Sequence, residues 1–302
     1  MDQTCLPAQL RGPGTTITPV SAGFSGAEVY RVQAAGQAYV LKISPEDAAW
    51  LPRLQTQKLA ARAGLAPRIV HVDEERRAVL SEFVVDRSFP AYYSNPATRS
   101  LAIAKLGQTL RRVHQLPAVA IQLQDRREML ESMNNCPVPA FVTAAVQSLL
   151  QEEPPPPSRP LVLSHNDVNP SNLAYDGETL FLLDWDSAGA HDYLYDLATV
   201  ALFLRMDEAS ARNLLSAYDE APSRPLPPAF TYYFRLVGAL CGSGFLTLGH
   251  RNGHRDGGEA LDLGDFYQRL RSGQVSLTSP EGQWHFGLAL VKTSLTLSRP
   301  AC

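Results

Sequence analysis

The chain has 302 residues, of which 45% are hydrophobic and 19% charged, with a formal net charge of −3. About twice the common domain length of roughly 150 residues, it predicts one bilobed fold or two domains, and its composition excludes an intrinsically disordered chain. The mild acidity, with no basic run, gives no support to a nucleic-acid surface and suits a small cationic substrate better.

The four cysteines, Cys5, Cys136, Cys241 and Cys302, are scattered without CxxC pairs. They suggest neither a zinc site nor a disulfide framework, and a reducing cytoplasm is the expected compartment. The first 13 residues lack a basic stretch followed by an apolar one, so no signal peptide is expected. The longest uncharged apolar run, Leu236 to Gly249, has 14 residues. That is short of the roughly 20 needed to cross a bilayer, so it predicts a buried helix and no membrane span.

From Thr15 to Phe83 the pattern is mainly that of strands. Thr16 to Thr18, Ala27 to Val32 and Gln37 to Ile43 read as a meander, the last two joined by a turn at Gly36. Leu51, Leu54, Lys58, Leu59 and Ala61 predict a helix that ends before Gly64 and Pro67. Strand character returns in Arg68 to Val72 and Ala78 to Phe83, around the charged turn Asp73 to Arg77. Asp86 to Pro96 is then rich in turn formers, and Ile103, Leu106, Leu110 and Val113 repeat at helical spacing. A helix around Phe141 to Leu150 runs into Pro154 to Pro157, which cannot continue it and reads as a short stiff spacer, with a ligand for a proline-binding module as the alternative.

The short apolar strand Leu161 to Leu163 is followed at once by Ser164-His165-Asn166-Asp167-Val168-Asn169-Pro170-Ser171-Asn172. A strand from Asn172 to Tyr175 turns at Asp176-Gly177 and returns as Thr179 to Leu183, ending in Asp184-Trp185-Asp186. Two acidic clusters are thereby brought to neighbouring strand ends, where a rigid scaffold positions side chains that face solvent. Asp167, an asparagine five residues later and a carboxylate at Asp184 form the set that magnesium-dependent phosphoryl transfer requires. One carboxylate orients an attacking hydroxyl and accepts its proton, while an amide oxygen and a second carboxylate hold hard cations.

The pattern His165-x-Asp167-x-x-x-x-Asn172, followed by Leu183-Asp184-Trp185-Asp186, resembles the aminoglycoside phosphotransferase and choline/ethanolamine kinase superfamily. The resemblance implies an α+β, protein-kinase-like bilobed fold with a small antiparallel sheet lobe and a mainly helical lobe. It implies Asp167 as the catalytic aspartate, Asn172 and Asp184 as magnesium ligands, and Asp186 as a further acid at the metal. His165 would be a buried buttress of the loop. The His-Asn-Asp triplet leans towards the choline kinase side. Asp196 matches the family's aspartate at the start of the next helix, where an N-terminal cap is the expected role.

Only four lysines stand against 23 arginines, which draws attention to Lys42 on the strand Ala38 to Ile43. A buried ammonium needs an anion, and Lys42 resembles the family's lysine for the α and β phosphates of ATP; a snorkelling edge lysine is the structural alternative. Ser21 to Gly26 looks like the phosphate-covering loop, with Gly23, Ser25 and Gly26 as its candidate contacts, although taken alone it is an ordinary hairpin turn. Glu82 and Val84 fall where kinases join their lobes and meet the adenine edge. One departure is plain: Leu51 to Lys58 has no acid to pair with Lys42. Glu46, Asp47 or a neutral bond from Gln55 are the candidate replacements, and a nucleotide-binding pseudokinase acting as an interaction module is the non-catalytic alternative.

Beyond the motif, Leu197 to Leu204 and Ala209 to Tyr218 predict helices, Pro222 to Pro228 a break, and Ala229 to Leu248 a longer helix. Tyr193, Tyr195, Tyr232, Tyr233, Phe234, Phe266, Tyr267 and Trp284 are candidates for an aromatic cage around a quaternary ammonium, against the competing expectation of core packing. Asp256, Glu259, Asp262 and Asp265 recur every three residues; a solvated acidic face is expected, with a cationic acceptor as the functional alternative. His250 and His254 are expected at the surface.

These readings predict a nucleotide-binding lobe over residues 1–82, a linker over 83–95 and a helical catalytic and acceptor-binding lobe over 96–302. The expected reaction is transfer of the ATP γ-phosphoryl group to a hydroxyl of a small cationic alcohol of the choline, ethanolamine or thiamine class, with Mg2+ as cofactor. An aminoglycoside is the alternative acceptor.

Overall fold

The computed structural model describes residues 3–20, 26–47, 49–117, 125–132, 136–254 and 260–298. Its first part is a five-stranded antiparallel sheet of β1 (Thr16–Pro19), β2 (Glu28–Ala34), β3 (Gln37–Ile43), β4 (Ile69–Asp73) and β5 (Ala78–Glu82), in the order β1-β2-β3-β5-β4. The β2–β3 hairpin closes on Ala35 and Gly36, both at positive φ (50° and 75°), which is the handedness that lets a two-residue turn follow the strand twist.

Along β3 the side chains alternate. Tyr39 and Leu41 are buried with Val32, Ala34, Leu80 and the N-terminal Cys5, Leu6 and Leu10 in one apolar cluster. Period two therefore puts Val40 and Lys42 on the opposite face. The helix α1 (Trp50–Arg62) stands between β3 and β4, with Trp50 and Leu54 packed on Val79, and Gly64 at φ 69° turns the chain after its end.

The rest is mainly helical: α2 (Phe89–Ser94), α3 (Arg99–His114), α4 (Arg126–Ser132), α5 (Ala140–Gln151), α6 (Tyr193–Phe203), α7 (Glu208–Asp219), α8 (Pro228–Arg251), α9 (Leu263–Arg271) and α10 (Pro280–Ser294). Two small antiparallel pairs interrupt it, β6 (Val162–Ser164) with β9 (Gly189–His191), and β7 (Leu173–Tyr175) with β8 (Leu180–Leu182). A second, larger core joins α3, α6, α8 and α10 to these strands and also takes in Ala60 and Leu65 from the end of α1. The predicted stripe Ile103, Leu106, Leu110 and Val113 is buried in it.

The run Leu236 to Gly249 lies within α8, and among the described residues no helix is long and apolar enough to cross a membrane. Several elements depart from the sequence expectation. The turn-former segment contains α2, which Ser88 starts by accepting a bond from the Ala91 N–H at 3.3 Å. The C-terminal α10, absent from the sequence reading, begins at a Ser279 cap with Pro280 behind it and packs along α8. A Cβ on Gly242 would lie 2.8 Å from the Gly287 carbonyl, so only glycine lets the two backbones approach this closely.

Candidate active site

β6 ends at Ser164 and delivers the segment His165 to Asn172. Asn169 shapes it twice. Its Oδ1 accepts the N–H of Ser171 at 2.9 Å, starting the helical turn Pro170–Asn172, while its Nδ2 donates to Asp167 Oδ1 at 2.8 Å. Asn172 Nδ2 donates to the other carboxylate oxygen at 2.8 Å and to the Asp167 carbonyl at 2.9 Å. The two amides thus fix the orientation of the Asp167 carboxylate. Burial pushes its pKa upward and the nearby Asp184 charge adds to this, against the lowering effect of Asn169, His165 and Asn172.

The β7–β8 hairpin turns at Asp176, whose Oδ1 accepts the N–H groups of Glu178 and Thr179 at 2.8 and 2.7 Å. The hairpin ladder continues one step further, with Leu183 N–H donating to the Asn172 carbonyl at 2.9 Å. That bond sets Asp184 beside Asn172. Asp184 itself adopts φ 58°, the left-handed conformation that short polar residues tolerate best.

Lys42 reaches across from β3. Its Nζ lies 2.7 Å from Asp184 Oδ1 and 2.7 Å from Asp186 Oδ2. Burial lowers its pKa, but the charges and hydrogen bonds of both carboxylates outweigh that and leave it raised. The three expected substitutes for the missing helix acid do not take this place. Glu46 and Gln55 are exposed, and Asp47 is held by the Arg53 guanidinium and the N–H of Ala49. Helical geometry instead turns Gln57, two residues on from Gln55, into the cleft beneath Lys42 with Trp50, Leu54 and Trp185. The strand lysine is therefore paired without an acid on α1.

His165 is fully buried. Its Nε2 donates to the Leu183 carbonyl at 3.0 Å, and its ring meets the Trp185 ring edge-on at a centroid distance of 4.7 Å. Asp196 corrects the sequence reading. The cap of α6 is Asp192, whose carboxylate accepts the N–H of Leu194 at 2.8 Å. Asp196, one turn further on and completely buried, accepts the backbone N–H groups of His165 and Asn166, each at 2.7 Å. His114 on α3 supplies a third contact at 3.0 Å and is itself bonded to the Tyr218 hydroxyl at 2.8 Å. Burial opposes the charged carboxylate, yet the His114 bond and charge, with His165, hold its pKa down at about 2. Asn166, at φ 63°, spans the loop with a bond from Nδ2 to the Ser187 carbonyl at 3.0 Å.

Of the nucleotide-side candidates, Gly23 and Ser25 lie outside the described residues. Gly26 is described, at φ 73° with open space around its Cα. Glu82 closes β5, with its N–H bonded to the Arg68 carbonyl at 2.9 Å and its carboxylate to the Arg68 guanidinium at 2.6 Å, and Val84 follows two residues later.

The aromatic candidates divide. Phe266 packs on Phe286, Trp284 on His254, and Tyr193 stacks on Tyr218, so these serve the core. Phe234 lies against Phe230, and Tyr267 donates to the Phe203 carbonyl. Tyr195, Tyr232 and Tyr233 instead form a buried group with His191, and the Asp167 charge reaches the Tyr195 hydroxyl. Asp262 is the cap of α9, accepting N–H bonds from Gly264 and Asp265, which corrects its reading as part of a helix face; Asp256 and Glu259 lie outside the described residues. His114, Asn169 and Tyr218 escaped the sequence reading, since none stands at a motif spacing.

The donor set fits magnesium. Among the described residues no three His, Cys, Asp or Glu side chains form a ready-made metal cage. Magnesium is more often held by one or two carboxylates with substrate phosphate, and the Asn172 amide, whose nitrogen is committed to Asp167, keeps its oxygen as a candidate ligand with the Asp184 carboxylate.

Comparison with solved structures returns the same architecture. A choline/ethanolamine kinase family protein from Mesorhizobium loti aligns with a TM-score of 0.62 at 20% identity, over 94% of each chain. Choline kinase LicA from Streptococcus pneumoniae gives 0.59 at 17% identity, over 85% of this chain and 92% of that one. Spectinomycin phosphotransferase APH(9)-Ia, determined with ADP and spectinomycin, gives 0.61 at 13% identity, over 94% and 93%. By sequence, 54 residues are 35% identical to Protein LicA of Haemophilus influenzae, a match spanning 18% of this chain and a fifth (20%) of that protein's length. The model of the phosphotransferase enzyme family, APH, matches residues 16–231, most of the chain, with Lys42, Asp167, Asn172, Asp184 and Asp196 all inside the match, and the chain belongs to that family.

Proposed function

We propose that this phosphotransferase moves the γ-phosphoryl group of ATP to a hydroxyl of a small alcohol, with an amine-bearing alcohol of the choline, ethanolamine or thiamine class as the leading acceptor. The observation that carries the reading is the convergence of Asp167, Asn172 and Asp184 at neighbouring strand ends with Lys42 facing them from β3. Asp167, held by Asn169 and Asn172, orients the acceptor hydroxyl and takes its proton as the oxygen attacks phosphorus. Lys42 binds the phosphate oxygens, and Gly23, Ser25 and Gly26 cover them while Glu82 and Val84 meet the adenine. Asn172 and Asp184, with Asp186 as a further acid, would hold Mg2+, which supplies charge neutralisation on the phosphates when bound. The nucleotide lies between a lobe of residues 1–82 and one of 96–302, joined through 83–95. Cys136 and Cys241, which form no disulfide among the described residues, support a cytoplasmic setting.

An aminoglycoside acceptor is the second reading, favoured by the likeness to the spectinomycin enzyme over 94% of this chain. The test is ADP release with magnesium and ATP across choline, ethanolamine, thiamine and several aminoglycosides, with Asp167→Ala as control. Release that depends on one alcohol and vanishes in the variant supports the reading. A chain that binds no nucleotide in a thermal-shift assay overturns it.

A further inference from the structure

We propose that the acceptor side of the site contains an oxyanion subsite whose receiving group is the guanidinium of Arg126, so that the alcohol phosphorylated carries a carboxylate or phosphate as well as its hydroxyl. This rests on the alcohol phosphotransfer reading above but departs from its leading acceptor class, since choline, ethanolamine and thiamine carry no oxyanion.

Arg126 opens α4 and sets its Cζ 5.4 Å over the centre of the Tyr195 ring. Tyr195 directly precedes Asp196, whose carboxylate holds the amides of His165 and Asn166 next to Asp167. Stacking on the ring satisfies the face of the guanidinium and leaves its in-plane N–H groups to be bonded. Nη1 donates to Met129 Sδ at 3.5 Å, a weak acceptor. Nε and Nη2 are buried and have no hydrogen-bond partner among the described residues. The adjacent carboxylate, Asp125, spends Oδ1 on the N–H groups of Arg127 and Glu128.

Nε and Nη2 together form the edge with which arginine grips a carboxylate or phosphate through two parallel bonds. Leaving such charged donors buried and unbonded is costly, and the cost is removed by an anion that enters with the substrate. His191, with its ring 4.4 Å from Tyr195 and 5.7 Å from Tyr233, is held neutral by burial and by the Arg126 charge, its pKa lowered to about 4. The Asp192 N–H donates to its Nδ1 at 2.9 Å, which leaves the ring proton on Nε2 as a further donor. The Tyr195 ring is already covered by the protein's own cation. Asp167 and Arg126 also act on the same two groups, the Tyr195 hydroxyl and the Cys241 thiol, with opposite sign.

The test uses the full chain with magnesium and ATP and measures ADP release with matched pairs: L-homoserine against 3-amino-1-propanol, D-glycerate against ethylene glycol, and glycerol 3-phosphate against glycerol, with choline and an aminoglycoside alongside. At least one oxyanion-bearing alcohol is expected to exceed its counterpart in kcat/KM on the order of tenfold to a hundredfold. Which arm responds separates carboxylate from phosphate. Arg126→Gln should raise the KM for that acceptor by a similar factor with the KM for ATP unchanged. Arg126→Lys, which keeps the charge but loses the fork, should recover only part of the loss and carries the comparison if Arg126→Gln does not fold. Turnover of choline or an aminoglycoside with identical constants in wild type and Arg126→Gln overturns the subsite and leaves the phosphotransferase standing. Nucleotide binding with no response to any oxyanion-bearing alcohol overturns it too. Failure to bind nucleotide at all overturns the reading on which it rests.

Discussion

Asp196 and His114, 82 residues apart in sequence, meet at 3.0 Å in the interior, and the same carboxylate holds the backbone of His165 and Asn166. The proposed catalytic segment is therefore anchored from beneath by a charged group that reaches no solvent. Asp196→Asn keeps the shape but removes the charge that these donors oppose. Breaking such a buried network by one partner costs about 3 to 5 kcal/mol, and urea unfolding of the variant should show a loss of that order together with a reduced kcat.

The same carboxylate gives a pH dependence of known sign. Its folded pKa of about 2 lies below the ordinary 3.8, so its contribution is full above the ordinary value and is lost as pH falls through the folded one. The difference corresponds to about 2 kcal/mol, roughly half of it gone by pH 3. Unfolding measured at pH 6 and pH 3 should reveal this component in the wild type. In Asp196→Asn it should be missing, and an equal acid sensitivity in both proteins would assign the effect to other carboxylates.

Lys42 separates function from stability. Its side chain is 21% exposed and those of Asp184 and Asp186 are 34% and 36% exposed. Pairs in that range contribute on the order of 1 kcal/mol or less, so Lys42→Met should fold almost as well as the wild type. Its loss should instead appear as a KM for ATP raised at least about tenfold, the effect of removing one charged phosphate contact. A large drop in melting temperature with unchanged kinetics would contradict this assignment.

Asp167→Asn leaves a side chain that can still lie between Asn169 and Asn172 but cannot take a proton. A fall in kcat of about 10²- to 10⁴-fold is expected, with nucleotide binding measured by thermal shift retained. If kcat is unchanged, another group accepts the proton.

The α8–α10 contact offers a test of packing. On Gly287 an added Cβ would lie 2.7 Å from both the Gly242 carbonyl and Leu246 Cγ, whereas on Gly14 it would meet nothing within 4 Å. Gly287→Ala is expected to cost about 1 to 3 kcal/mol and Gly14→Ala to change stability by less than about 0.5 kcal/mol, as read from denaturant midpoints.

Alternation and helical spacing along the chain were enough to find the meander of the sheet and the helices α1, α3, α5 and α6 to α8. The spacing of His165, Asp167 and Asn172, with Asp184 after one hairpin, was equally legible, since a hairpin sets its own strand ends side by side. What lay between distant segments was not. α10 is apolar on nearly every side and carries little periodic signal, and its place is set by glycines that meet only when α8 is present. Whether Asp192 or Asp196 caps α6 depends on which one faces the amides of a loop some thirty residues upstream in sequence. The partners of Lys42 likewise come from 142 and 144 residues away. Local pattern by itself determined the strands, most helices and the spacing of His165, Asp167 and Asn172, because those are properties of neighbouring residues. Tertiary structure alone decided the partner of each buried charge, including the stacking of Arg126 on Tyr195, because a charge removed from water is satisfied by whatever the fold brings within hydrogen-bond reach.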